Sequence, residues 1–313
     1  MTRSYAAGPT ERPLLDETIG FNLRRAAERH ARRDALVVCH QDVRLTYAEL
    51  DAAVDTLARA LMALGLERGD RLGIWAPNRA EWVLTQFATA RIGIVLVNIN
   101  PAYRTSELRY ALAQSGCRVL VAATRFKSSD YVAMVDEVTQ ELEALERVIW
   151  LDRDDWQQLL SSAGEVSDDA LEGRERSLAP DDPINIQYTS GTTGSPKGAT
   201  LSHVNILNNG YFVGAGCGYS EEDRVCIPVP FYHCFGMVMG NLGCTTQGAC
   251  MVVPAPSFDA QATPSASRKS AAPPFTGSPR CSSRSSSIRR LPASTCRRCG
   301  PGSWPARPAR SRS

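Results

Sequence analysis

The chain predicts an α/β fold of doubly wound parallel sheets with helices on both faces. Three observations predict it. Short β-branched and apolar runs alternate with stretches whose apolar residues recur at helical spacing. The helical stretches carry start and stop residues at their ends. No apolar run approaches the roughly 20 residues of a membrane span; the longest is 92–97.

The elements follow in order. Residues 35–39 and 43–45 read as strands. Thr46 and Glu49 then form a capping box, in which hydroxyl and carboxylate each satisfy a free backbone N–H. Leu50, Val54, Leu57, Leu61 and Leu64 continue at helical spacing, and Gly65 can stop the helix in the left-handed conformation. Residues 71–75 are a strand, 81–91 a helix, 93–97 a buried strand, and 106–115 a helix ended by Gly116. Another strand follows at 118–122. Residues 131–146 are expected to be helical and 148–151 a strand. The polar stretch 152–183, rich in Asp, Ser and Gly, is expected to be a linker or surface excursion. Strands at 184–188, 225–229 and 249–253 frame helices at 204–211 and 236–246. Trp75, Trp82, Met237 and Met239 read as core; Asn98 and Glu107 read as structural, bonding backbone and capping a helix.

Hydrophobic content of 43% supports a packed core over a 313-residue chain. Residues 1–11 hold no apolar stretch that could serve as a secretory signal, so a cytoplasmic location is expected. Seven of the ten cysteines are scattered beside apolar residues, the pattern of small buried thiols. Cys296 and Cys299 form a C-x-x-C with no second pair at zinc-ribbon spacing. The net charge of +2 conceals a break. Residues 263–313 hold ten Arg, one Lys and no acid; the remaining 24 basic residues face all 33 acids, so 1–262 carries −9.

One loop stands out: Y-T-S-G-T-T-G-S-P-K-G, 188–198. Its glycines let backbone N–H groups converge on an anion. Thr189, Ser190, Thr192, Thr193 and Ser195 add hydroxyls, and Lys197 adds a mobile charge. A plain turn needs only one or two such residues. The string is not G-x-x-x-x-G-K-[ST], because Pro196 precedes and Gly198 follows the lysine; nor is it G-x-G-x-x-G.

The loop closely resembles the signature of the AMP-forming adenylating enzymes. L-T-Y-A-E-L-D (45–51), G-D-R-L-G-I-W-A-P-N-R-A-E-W (69–82), N-I-N-P-A-Y-R-T-S-E-L-R-Y-A-L (98–112) and P-V-P-F-Y-H-C-F-G-M-V-M-G (228–240) resemble further segments in the right order. The last resembles the acyl-CoA synthetase branch. The resemblance implies the N-terminal domain of such an enzyme over 17–262, after an arm at 1–16. It implies a two-step reaction: a carboxylate attacks the α-phosphate of ATP, and coenzyme A then displaces AMP. ATP, Mg²⁺, coenzyme A and a medium- or long-chain fatty acid are the implied partners, with no nucleic acid, no transmembrane segment and room for peripheral membrane contact. Thr189, Ser190, Gly191, Thr192, Thr193, Gly194, Ser195 and Lys197 would hold the phosphates, with Thr189 also touching Mg²⁺. His233 would shape the acyl and α-phosphate site as a catalytic residue; outside its motif, a lone His beside aromatics is more often a packed core residue.

The 313 residues contain neither Y-G-x-T-E nor T-G-D, the family's later Mg²⁺- and ribose-binding motifs, nor its C-terminal lysine domain. Residues 263–313, with thirteen Ser and eight Pro, are expected to be disordered by composition. Shifting the reading of their codons by one base lets 269–287 and 294–313 encode family-like sequence. The tail is therefore expected to be an out-of-frame translation, and the chain an incomplete domain with little or no ligase activity. Two alternatives are a non-catalytic nucleotide- or acyl-binding module and a basic-tailed binder of nucleic acid or membrane.

Overall fold

The computed structural model describes residues 12–189 and 196–263. The basic tail beyond 263 and the arm at 1–11 lie outside them, as do Cys296 and Cys299.

The chain opens with α1 (Ile19–His30), capped by the Thr18 side chain, which accepts from Phe21 N. Strands β1 (Asp34–Val38) and β2 (Val43–Thr46) pair antiparallel. Helix α2 (Tyr47–Ala63) starts at the expected Thr46–Glu49 capping box. Then come β3 (Arg71–Trp75), α3 (Ala80–Ile92), β4 (Val95–Asn98), α4 (Thr105–Ser115) and β5 (Val119–Ala122). Gly65 and Gly116 adopt φ of 84° and 60° just beyond α2 and α4, so both expected stops are real. A small hairpin, β6 (Arg125–Phe126) and β7 (Ser129–Asp130), precedes α5 (Tyr131–Thr139) and β8 (Arg147–Trp150).

The polar stretch expected to be a linker or surface excursion is folded into helices. It forms α6 (Asp154–Ser161), a 3₁₀ turn (Ser162–Glu165) and α7 (Asp168–Arg176). Its polar composition hid this because few of its side chains face inward: Trp156 and Leu159 from α6, Leu171 and Glu175 from α7. After it come β9 (Pro183–Thr189), β10 (Lys197–Ser202), α8 (His203–Gly216) and β11 (Arg224–Cys226). A π-helix (Phe235–Leu242) leads through a short helical turn to β12 (Cys250–Val253).

Two sheets organise these elements. The larger runs β10-β9-β4-β3-β5-β8, parallel except for the antiparallel edge strand β10. The smaller runs β11-β12-β1-β2, parallel except for β2. Every residue of β4 and β5 is buried, as expected of parallel strands covered on both faces. Trp75, Trp82 and Met237 lie in the core, while Met239 is only half-buried. The cysteine expectation holds in part. Cys117, Cys244 and Cys250 are buried, Cys226 is half-buried, and Cys39, Cys217 and Cys234 are exposed. Apolar sequence neighbours did not reveal which face of its element each thiol occupies.

An ionic cluster ties four helices together. Arg91 of α3, with no solvent exposure, bonds Asp51 and, at 2.5 Å, Asp55 of α2. Arg24 of α1 reaches Asp55 at 2.9 Å and Glu175 of α7 at 2.6 Å. Burial raises the Glu175 carboxyl above its ordinary value, although both arginines oppose the shift.

Candidate nucleotide and acyl site

The glycine-rich loop joins β9 to β10, a strand not expected from the sequence. Its stem is an antiparallel hairpin with Lys197 opposite Thr189 and Gly198 opposite Tyr188. Thr189 and Lys197 are thus brought face to face, and the Thr189 hydroxyl donates to the Lys197 carbonyl at 3.4 Å. Ser190, Gly191, Thr192, Thr193, Gly194 and Ser195 lie outside the described residues. Lys197 is exposed and makes no ion pair among the described residues.

Helix α4 braces the stem. The Tyr110 hydroxyl donates to the Pro196 carbonyl at 3.0 Å and accepts from Gln114 Nε2 at 2.8 Å. The Tyr188 hydroxyl donates to the Ala111 carbonyl at 3.0 Å. Burial pushes the Tyr188 hydroxyl up to about 12, so it stays a neutral donor at physiological pH. Between α4 and the hairpin lies an open cavity of about 450 Å³ lined by Tyr110, Gln114, Tyr188, Lys197 and Thr200.

His233 lies on the segment entering the π-helix. Its side chain is exposed, and its Nδ1 accepts from Phe235 N at 3.1 Å. An accepting Nδ1 places the proton of the neutral ring on Nε2. Gly236 allows the sharp turn here: a Cβ on it would lie 2.3 Å from the Pro230 carbonyl oxygen, closer than any side chain tolerates. Asn78 holds the approach to this turn, donating to the Val229 carbonyl and accepting from Phe231 N, both at 2.8 Å.

No hydrogen bond links His233 directly to Thr189 or Lys197 among the described residues. The link passes through the buried ends of β4 and β9. Asn98 Nδ2 donates to the Tyr232 carbonyl at 3.1 Å and to Met237 Sδ at 2.9 Å. Gln187, two residues before Thr189, donates to the same sulfur at 3.0 Å. Asn185 Nδ2 donates to Asn98 Oδ1 at 2.9 Å. Asn98 therefore does serve structure, as does Glu107, which accepts from Arg104 N at 3.0 Å to cap α4. Sequence reading missed Asn185, Gln187 and Tyr110. The first two left a signal: in I-N-I-Q-Y the polar residues fall two apart, on one face of a strand buried among others.

Carboxyl ends of parallel strands are where ligands bind in such sheets. The residues present suit a nucleotide triphosphate with its metal. No cluster of three metal-ligating acids, histidines or thiols exists among the described residues. Mg²⁺ takes one or two protein groups and completes its shell with phosphate and water, so a lone hydroxyl such as Thr189 is compatible with it.

This strand-loop-hairpin arrangement within a doubly wound sheet defines a protein of the adenylating class. The chain belongs to the AMP-binding enzyme family, whose match covers residues 23–281. It is 41% identical over 282 residues to the Danio rerio medium-chain acyl-CoA ligase ACSF2, mitochondrial, covering 84% of this chain and 46% of that protein. The Homo sapiens protein of the same name is 42% identical over 279 residues, covering 82% and 45%. The chain thus spans about half the length of the curated relatives it matches. Among solved structures, the inhibitor-bound N-terminal domain of FACL13 from Mycobacterium tuberculosis superimposes with a TM-score of 0.65 at 27% identity, over 80% of this chain and 60% of that one. A Mycobacterium tuberculosis fatty acyl CoA synthetase gives 0.64 at 26%, over 80% and 47%. These relatives support the fatty acyl-CoA ligase branch.

The expected cytoplasmic location is overturned, because the ACSF2 ligases that the chain matches are named mitochondrial. The lack of an apolar run spoke only against a secretory signal; mitochondrial leaders are amphipathic and arginine-rich, and carry no such run. No helix among the described residues is long and apolar enough to cross a membrane.

Proposed function

We propose that this chain carries the nucleotide- and acyl-binding part of a fatty acyl-CoA ligase acting on medium-chain acids. The observation that carries the reading is the hairpin stem that sets Thr189 against an exposed Lys197, without an ion pair among the described residues, at the carboxyl end of a parallel strand. Lys197 and the loop of Ser190, Gly191, Thr192, Thr193, Gly194 and Ser195 would hold the ATP phosphates, and Thr189 would offer its hydroxyl to Mg²⁺. Bound with ATP, Mg²⁺ supplies the charge neutralisation that lets a carboxylate approach the α-phosphate. His233, with Nε2–H directed away from its backbone partner, would border that phosphate and the carboxylate. Coenzyme A would be the acceptor of the acyl group. The medium-chain preference is supported by the names of the matching ligases.

A second reading, a nucleotide- or acyl-binding module without turnover, rests on the same stem and loop, which could hold phosphates without acting on them. Calorimetric titration of the full chain with Mg·ATP, beside pyrophosphate exchange with octanoate, separates the two. Saturable binding that Lys197→Ala weakens about tenfold or more supports both; exchange by the wild-type chain selects the ligase. Binding that survives Lys197→Ala undiminished would overturn the assignment of the loop.

A further inference from the structure

The geometry points to Asn98 as a positioning residue for His233, a role that gains its meaning from the reading of His233 given above. Asn98 is buried at the last position of β4, beside β9. Every polar atom of its side chain is engaged. Nδ2 spans the Tyr232 carbonyl and Met237 Sδ, and Oδ1 accepts from Asn185. Tyr232 immediately precedes His233, and Met237 lies one helical turn beyond it. One amide therefore grips the His233 turn on both sides. That turn brings Phe235 N to His233 Nδ1 and so selects the ring tautomer. Asn78, by contrast, fixes only the approach at Val229 and Phe231. Through Asn185 and the sulfur shared with Gln187, the same amide is tied to the strand that ends in Thr189. Asn98 thus sets the position of the imidazole relative to the strand that ends in Thr189 without hydrogen-bonding the ring itself.

The test reads the imidazoles directly, in the full chain without nucleotide. Long-range ¹H–¹⁵N spectra resolve ring tautomers, and His233→Gln assigns the His233 signals. Buried His203, whose Nδ1 accepts from Ile19 N at 3.2 Å, reports in the same spectrum whether the fold is intact. Wild type should show one His233 tautomer, protonated on Nε2. Asn98→Asp, which keeps the shape but cannot donate, should lose that single-tautomer signature while His203 is unchanged. Asn98→Ala should do the same without adding a charge. Met237→Leu removes only the sulfur acceptor and should leave the tautomer as it is. An unaltered His233 spectrum in a folded Asn98 variant overturns the proposal. Loss of the His203 signal in both variants also overturns it, because Asn98 would then be a residue of general stability. Failure of Mg·ATP binding would count against the proposed function alone, since these spectra contain no nucleotide.

Discussion

Two cationic regions of the molecule are built in opposite ways. Arg91 is fully enclosed and surrounded by Asp51, Asp55 and Glu175, with Arg24 sharing those acids. Lys197 stands exposed on an edge strand with no ion pair among the described residues. Arginine suits the first setting: its planar fork satisfies several carboxylates at once and is weakly hydrated. Lysine suits the second, as a mobile point charge on a flexible stem. A cation whose anions come from its own chain holds helices together. A cation left without one is available to an anion from outside.

The comparison is broken most severely at Arg91. Arg91→Met removes the buried cation between Asp51, Asp55 and Glu175, leaving them to Arg24, and should cost about 3–5 kcal/mol, read from urea unfolding. A loss below about 1 kcal/mol would mean that the cluster does not hold the helices.

Next comes buried His203, an internal group whose charge, unlike that of Arg91, the fold refuses. Its Nε2 has no partner among the described residues, and burial lowers the ring to about 4 from an ordinary 6.5. The unfolded chain therefore takes up a proton that the native ring declines. Stability due to the neutral ring is present above about pH 6.5 and is lost as pH falls towards 4, by roughly 3 kcal/mol in total. His203→Gln should flatten that part of the pH profile of unfolding. An unchanged slope would show that other groups carry it.

Lys197→Ala should do the reverse of Arg91→Met. Stability should stay within about 0.5 kcal/mol. Mg·ATP affinity should fall by about tenfold or more, the worth of a hydrogen bond to a charged group. The smallest effect is expected at Tyr110→Phe, which removes the donor to Pro196 and should weaken Mg·ATP binding about fivefold, near 1 kcal/mol. Equal losses for the Tyr110 and Lys197 variants would show that stem geometry matters as much as the charge.

Much of the fold was legible because its signals are local. Thr46 and Glu49 are three residues apart, Gly116 closes the helix it follows, and the apolar strands of the large sheet sit between turn residues. The glycine-rich loop stood out for the same reason: its glycines, hydroxyls and lysine are contiguous. The helices at 154–176 were not legible, since their inward residues are few and one of them, Glu175, is an acid. Its burial depends on Arg24 and Arg91, far away in sequence. Strand β10 was missed because K-G-A-T-L-S is exposed and polar, and only pairing with β9 makes it a strand.

By itself, then, the sequence determined the alternation of elements, their caps and the place of a glycine- and hydroxyl-rich loop, because side-chain periodicity and backbone freedom act over a few residues. Only the tertiary structure decided that the loop closes a hairpin braced by Tyr110, and that Asn98, Asn185, Gln187 and Met237 join the His233 turn to that hairpin. Those contacts cross tens to more than a hundred residues. They exist because elements distant in the chain pack against one another, where their buried polar groups must find partners in each other.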